Sequence, residues 1–244
     1  MKIVKPTVTL SHYPEKDYVY RFLEKCGRTC YKSEPNENLS SAEFIKRLIK
    51  SGHESVLEHY SLTFIITCDR GVSHELVRHR LASYSQESTR YCTYNGEMEF
   101  IKPIEIKEDT VPFLLWKNGC EFAETTYHKL LKSGVSAQNA RSVLPNSLKT
   151  EIVMTANLRE WRHFLNLRYF GRTGKPHPDM KEIAGMIYKI IKNLLPEIVE
   201  DLDKKENSDA FYVPNIESYI EAFGVKFYEW LMEDSDAEDN SLHK

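Results

Sequence analysis

Between Arg78 and Arg90 the chain reads Arg-His-Arg-Leu-Ala-Ser-Tyr-Ser-Gln-Glu-Ser-Thr-Arg: three arginines, one histidine and three serines against one carboxylate, Glu87. No core helix accommodates that window, because each buried guanidinium must find a partner or cost several kcal/mol. Whatever the fold, residues 78–90 have to reach a surface or line a cleft. Serine hydroxyls and the backbone N–H groups of a turn can converge there on one anion. The residue types suit a ligand with phosphate oxygens and a hydrogen-bonding ring, a nucleotide. Read alone, Arg78, His79 and Arg80 would be an ordinary solvated basic cluster.

The flanking segments say what carries this window. From Leu62, the apolar Phe64, Ile66 and Cys68 alternate with Thr63 and Thr67, which predicts a half-buried strand. Ser73 is then expected to cap a helix that runs to about Leu81 and delivers Arg78–Arg80, with the Ser- and Tyr-rich remainder a loop. Ser40 and Glu43 form a capping box for a helix that Gly52 ends. A long helix is expected over Phe113 to about Lys132, closed by Gly134, and Ser136 is placed to cap the next, which bears Arg141. The alternation from Leu148 to Ala156 predicts a second strand. Asn157 then caps a helix whose apolar stripe is Leu158, Trp161, Phe164 and Leu165, ending near Arg168. Asp179 to about Leu202 reads as helical, kinked or ended by Pro196. Residues 1–38, with three prolines, read as irregular. Strands this few, separated by helices, imply an α+β class: one domain over 1–232 with a mostly antiparallel sheet packed by helices. Five of the seven residues 233–239 are acidic, so 233–244 is expected to be a disordered tail.

Composition removes several classes of function. The net charge is −3, whereas a general nucleic-acid binder is usually basic over a whole face. No run approaches 18 consecutive apolar residues, so no membrane span is expected. Five irregularly spaced cysteines suggest reduced thiols and a cytoplasmic setting. Neither a G-x-x-x-x-G-K-[ST] loop nor a G-x-G-x-x-G fingerprint occurs. Zinc fits poorly. His74 and His79 lie five apart, so on a helix they diverge by roughly 140°, and neither His53 with His59 nor Cys26 with Cys30 completes a ligand set. No metal is expected.

The spacing adds what composition cannot. Arg78-His79-Arg80, then Ser88 after seven residues, then Arg90, resembles the signature of the flavin-dependent, or alternative, thymidylate synthases. Further blocks match that family in order: His53-Glu54-Ser55 with Glu58-His59, Ala140 to Pro145, Asn157 with Arg159, and Asn166-Leu167-Arg168. The resemblance covers about residues 40–195. It implies a homotetramer with active sites shared between subunits, FAD as cofactor, and NADPH and methylenetetrahydrofolate as co-substrates in the conversion of dUMP to dTMP. It places His53, Ser55, Arg78, His79, Arg80 and Gln86 against FAD, joined by Asn157, Leu158, Arg159 and His163. For dUMP it implies Glu75, Leu76, Val77 and Arg78; Gln86, Glu87, Ser88, Thr89 and Arg90; and Arg141 and Arg168. Ser88, Thr89, Arg90 and Arg141 would hold the phosphate.

Arg168 read alone is a cation suited to a helix C-terminus. The resemblance makes it the catalytic residue, facing the uracil ring where charge builds up, a role that a permanently protonated planar fork fits. Three features depart from the family pattern, one of them Ser85-Gln86-Glu87, in a stretch where the family itself varies. Glu75 stands where glutamine is common, and the run Tyr169 to Pro178 is longer. Two rival readings use the same residues: a non-catalytic nucleotide- or RNA-binding protein, and a metal-dependent nucleotide hydrolase.

Overall fold

The period-two alternations at 62–68 and 148–156 become the two central strands of a sheet, and the elements around them follow from that pairing. A computed structural model describes residues 1–203 except 31, 36, 37, 93 and 95. The domain limit at 232 and the acidic tail lie outside the described residues. In chain order the elements are β1 (Lys2–Val4), β2 (Thr7–Leu10), α1 (Lys16–Thr29), α2 (Ser41–Lys50), a 3₁₀ helix (Glu54–His59), β3 (Ser61–Asp69), α3 (Arg70–Leu76), β4 (Ala82–Gln86), β5 (Glu99–Ile101), α4 (Val111–Lys132), α5 (Ala137–Ala140), a 3₁₀ turn (Arg141–Val143), β6 (Lys149–Asn157), α6 (Leu158–Arg168), α7 (Pro178–Leu194) and α8 (Pro196–Val199).

Four strands form an antiparallel sheet in the order β2-β3-β6-β4, and β1 pairs in parallel with β5 in a separate two-stranded sheet. This is the α+β architecture expected. One sheet face is apolar: Leu62, Phe64, Ile66 and Cys68 of β3 and Ile152 and Met154 of β6 are fully buried. The α6 stripe closes over it. Trp161 packs edge-on to Phe64, with ring centroids 4.9 Å apart, and its indole N–H donates to the Leu62 carbonyl at 3.1 Å. Each such buried side chain contributes about 1.5–3 kcal/mol. A smaller core of Met98, Phe100, Cys120, Tyr127, Ala140 and Leu148 lies under α4.

Local signals hold where they were strong. Ser40 and Glu43 make the reciprocal capping box of α2, and Asn157 accepts from the Glu160 N–H at 2.8 Å to start α6. Gly134 follows α4 with φ of 85°, a left-handed conformation that glycine adopts without steric cost. Pro196 separates α7 from α8.

Three expectations are corrected. Residues 1–38 are not irregular: β1, β2 and α1 lie there, and Val19, Tyr20 and Leu23 bury one helical face. Ser73 is not a cap. Asp69 caps α3 by accepting from the Val72 N–H at 2.9 Å, and Ser73 instead donates to the Arg70 carbonyl within the helix. The helix therefore ends at Leu76, before Arg78. Finally, residues 82–86 are not a loop but the edge strand β4, whose small serines conceal an alternation in which Ala82, Tyr84 and Gln86 are the more covered residues.

Candidate functional site

The register explains why distant residues converge. Ser61, at the start of β3, pairs with Asn157, at the end of β6, and Ala82, at the start of β4, pairs with Ala156. Three chain segments thus meet at one end of the sheet. There Glu54 and Glu58 of the 3₁₀ helix, Arg78 to Leu81 of the connection into β4, Asn157 at the end of β6, and Arg159, Glu160, His163, Asn166, Leu167 and Arg168 of α6 line a cleft of about 750 Å³. That volume lies within the usual range of small-molecule sites, roughly 300–1,000 Å³. Helix α6 serves both sides: Leu158, Trp161, Phe164 and Leu165 face the core, while Arg159, Glu160, His163 and Leu167 line the cleft.

A hydrogen-bonded chain runs through the floor. The Glu160 carboxylate lies 2.9 Å from Nδ1 of buried His79. Arg168 Nε donates to His79 Nε2 at 3.2 Å, and its Nη1 donates to Glu75 Oε2 at 3.0 Å. Glu75 Oε1 is 3.5 Å from His177 Nδ1, and His177 Nε2 is 3.7 Å from Asp179. The Tyr84 hydroxyl donates to the carbonyls of Leu76 and His79, pinning the connection that presents Arg78–Arg80. Burial, and after it the charge of Glu160, pushes that phenol up to about 12, so it stays a donor. Arg159 pairs with Glu58 at 2.5 Å on the rim. Below the cleft, buried Arg162 holds Glu54 at 2.9 Å and forks onto Asp201 at 2.6 and 2.8 Å. Four arginines face three glutamates around the opening.

The second half of the signature lies elsewhere in the same chain. Glu87 N–H donates to the Glu151 carbonyl beyond the end of β4, and its carboxylate accepts from Tyr94 at 3.1 Å. Buried Thr89 accepts from Arg141 Nη1 at 3.1 Å, Ser88 Oγ accepts from the Arg90 N–H, and Arg90 Nε donates to Gln138 at 3.1 Å. Ser88, Thr89, Arg90 and Arg141 therefore do form one constellation. It is separated from Arg78–Arg80 by the five residues of β4, roughly 17 Å of extended chain.

Of the residues expected against the flavin, Arg78, His79, Arg80, Asn157, Arg159 and His163 line the cleft, and so does Arg168. His53 and Ser55 are exposed at the start of the 3₁₀ helix without lining it, although Glu54 between them does. Leu76 and Leu158 are fully buried core residues, so their side chains have no free face for a ligand. Gln86 donates to Ser73 Oγ at 2.9 Å and Thr150 Oγ1 at 3.2 Å rather than facing the cleft. Val77 is exposed, and Glu75 reaches the cleft through Arg168. Sequence reading missed Glu54, Glu58, Leu81, Glu160, Asn166 and Leu167 as cleft residues. The signal was the second face of α6: Glu160, His163 and Leu167 recur at helical spacing from the Asn157 cap. His79, Glu160 and His163 also bring potential metal-ligand atoms within 4.8 Å of one another. That grouping went unseen in sequence, but both ring nitrogens of His79 are already engaged, by Glu160 and Arg168.

The cleft thus brings four guanidinium groups, those of Arg78, Arg80, Arg159 and Arg168, and the two imidazoles of His79 and His163 to one end of an antiparallel sheet. Residues 11–197 match the model of the family described as thymidylate synthase complementing protein. A flavin-dependent thymidylate synthase from Geobacter sulfurreducens is 34% identical over 201 residues, covering 79% of this chain and 84% of that protein. Another from Thermococcus onnurineus is 44% identical over 154 residues, 61% of this chain and 62% of that protein. The fold is similar to the solved structure of a UMP/dUMP methylase PolB from Streptomyces cacaoi bound with 5-Br dUMP, with a TM-score of 0.73 at 23% identity over 85% of this chain and 99% of that one. The chain belongs to the thymidylate synthase complementing protein family, a family of enzymes.

Proposed function

We propose that this chain catalyses the reductive methylation of dUMP to dTMP, with methylenetetrahydrofolate as carbon donor and FAD reduced by NADPH. The observation that carries the reading is the convergence of Arg78, His79, Arg80, Asn157, Arg159, His163 and Arg168 on one cleft. The donor set fits FAD. Arginine forks suit a diphosphate, the Asn157-capped start of α6 favours an anion, and the imidazoles offer flat faces to a ring system. When bound, the flavin supplies the hydride; the chain supplies binding, orientation and exclusion of water. Arg168 polarises the pyrimidine, because its fork stays protonated and is held rigidly at Nε and Nη1.

Ser88, Thr89, Arg90 and Arg141 hold the dUMP phosphate, Thr89 already orienting Arg141. Within one chain that group stands at the far end of β4 from Arg168. A complete site therefore takes its phosphate grip from a neighbouring protomer of a homotetramer. The net charge of −3 disfavours a nucleic-acid-binding role without catalysis, since such proteins are usually basic.

Purified protein should be yellow with a flavin absorption band, should oxidise NADPH faster when dUMP is added, and should form dTMP when folate is supplied. Colourless protein that takes up no added FAD would overturn the proposal.

A further inference from the structure

We infer that Glu160 is a positioning residue: its buried carboxylate selects the tautomer of His79 that can hold Arg168. The inference deepens the reading above, in which Arg168 faces the pyrimidine. His79 and Glu160 are each 4% exposed, and among the described residues the side chains that bond the ring nitrogens of His79 are Glu160 at Nδ1 and Arg168 at Nε2. A guanidinium has five N–H donors and no acceptor, and it does not deprotonate in proteins. Nε2 must therefore present its lone pair to Arg168, and the single ring proton must sit on Nδ1, pointing at Glu160. An imidazolium, or the opposite tautomer, would set N–H against N–H and release the arginine.

A half-turn of the ring would put Cδ2 and Cε1 where the two nitrogens now bond and would lose both contacts. The His79 ring is wedged edge-on against Phe164, with centroids 5.0 Å apart, and against His163 at 5.8 Å. The position of one proton is the remaining freedom, and the carboxylate behind the ring decides it. Glu160 itself is fixed because its backbone N–H is bound by Asn157 Oδ1, so the start of α6 and the tautomer share one anchor. With Nε held in this way and Nη1 held by Glu75, the guanidinium plane is set before any substrate arrives.

The test uses full-length protein labelled with ¹⁵N-histidine and freed of flavin, with His79 assigned by difference from H79N. Long-range ¹H–¹⁵N spectra of the wild type should show His79 protonated at Nδ1; a proton on Nε2 overturns the inference at once. E160A should lose that tautomer and lower kcat by about 10–100-fold, the scale seen when a carboxylate that orients a metal-bound histidine is removed, with KM for dUMP moving less than kcat. E160Q, whose amide oxygen can still accept from Nδ1–H, should restore both the tautomer and most of the turnover. Unchanged tautomer and kcat in E160A, or a folded E160Q as impaired as E160A, refutes the role. If E160A does not fold, E160Q alone decides. Wild type that makes no dTMP but shows the Nδ1 proton would sink the proposed function and leave the tautomer assignment standing.

Discussion

Arg168 is held at two points before any ligand is considered: by His79 at Nε and by Glu75 at Nη1. Holding removes the rotamer entropy that a free arginine would lose on binding, and it fixes the donor geometry that developing charge requires. Glu75 is part of this grip. A carboxylate where glutamine is common would be costly beside a phosphate, yet here it faces a guanidinium and His177. Replacing Arg168 by alanine should lower kcat for dTMP formation by about 10²–10³-fold or more while the flavin band persists. Near-wild-type turnover in R168A would remove the role assigned to it. In sequence, Arg168 was legible from its place in Asn166-Leu167-Arg168. The grip on it was not, because Glu75 and His79 lie 93 and 89 residues away. Glu160 was missed for the same reason, with its partner 81 residues distant.

Elements were legible in proportion to how local their cause is. The capping box of α2, the alternations of β3 and β6 and the stripe of α6 each repeat within a few residues. β4 was not legible, because its strand character comes from pairing with β6 and not from β-branched side chains. The α2 capping box also carries a pH signature. Hydrogen bonds from the Ser40 side chain, and then from its backbone N–H, hold the Glu43 carboxyl below the ordinary glutamate range. Its stabilisation is therefore present above that range and lost as pH falls through the depressed value. Melting temperatures of wild type and E43Q should differ at neutral pH and converge in acid. A constant difference across that window would show that the cap does not depend on the charge.

At the scale of the molecule, burial divides the thiols into reactive and protected ones. The structure holds no disulfide among its five cysteines. Burial pushes Cys68 up to about 12 and Cys120 up to about 11, while Cys30 and Cys92 are exposed. Thiol labelling followed by peptide mapping near neutral pH should mark Cys30 and Cys92 at once, and Cys68 and Cys120 only on unfolding. Rapid labelling of Cys68 in the native protein would contradict the packing of β3. The proposed assembly makes a separate prediction. R168A and R141A should each be inactive alone, yet regain activity when the two chains are refolded together, because some mixed sites then combine two intact halves. Sites built within single chains would regain nothing, since every chain carries one lesion.

Seen this way, β4 is a ruler. It fixes the spacing between the arginines that meet the cleft and the serine turn that faces away from it, and it does so with a period of two residues. Lengthening it by one would turn the whole Ser88–Arg90 turn upside down relative to Arg78–Arg80. Adding two would restore the facing but carry the Ser88–Arg90 turn about 7 Å further out, so in the proposed homotetramer the gap between neighbouring protomers would limit the length of this short edge strand.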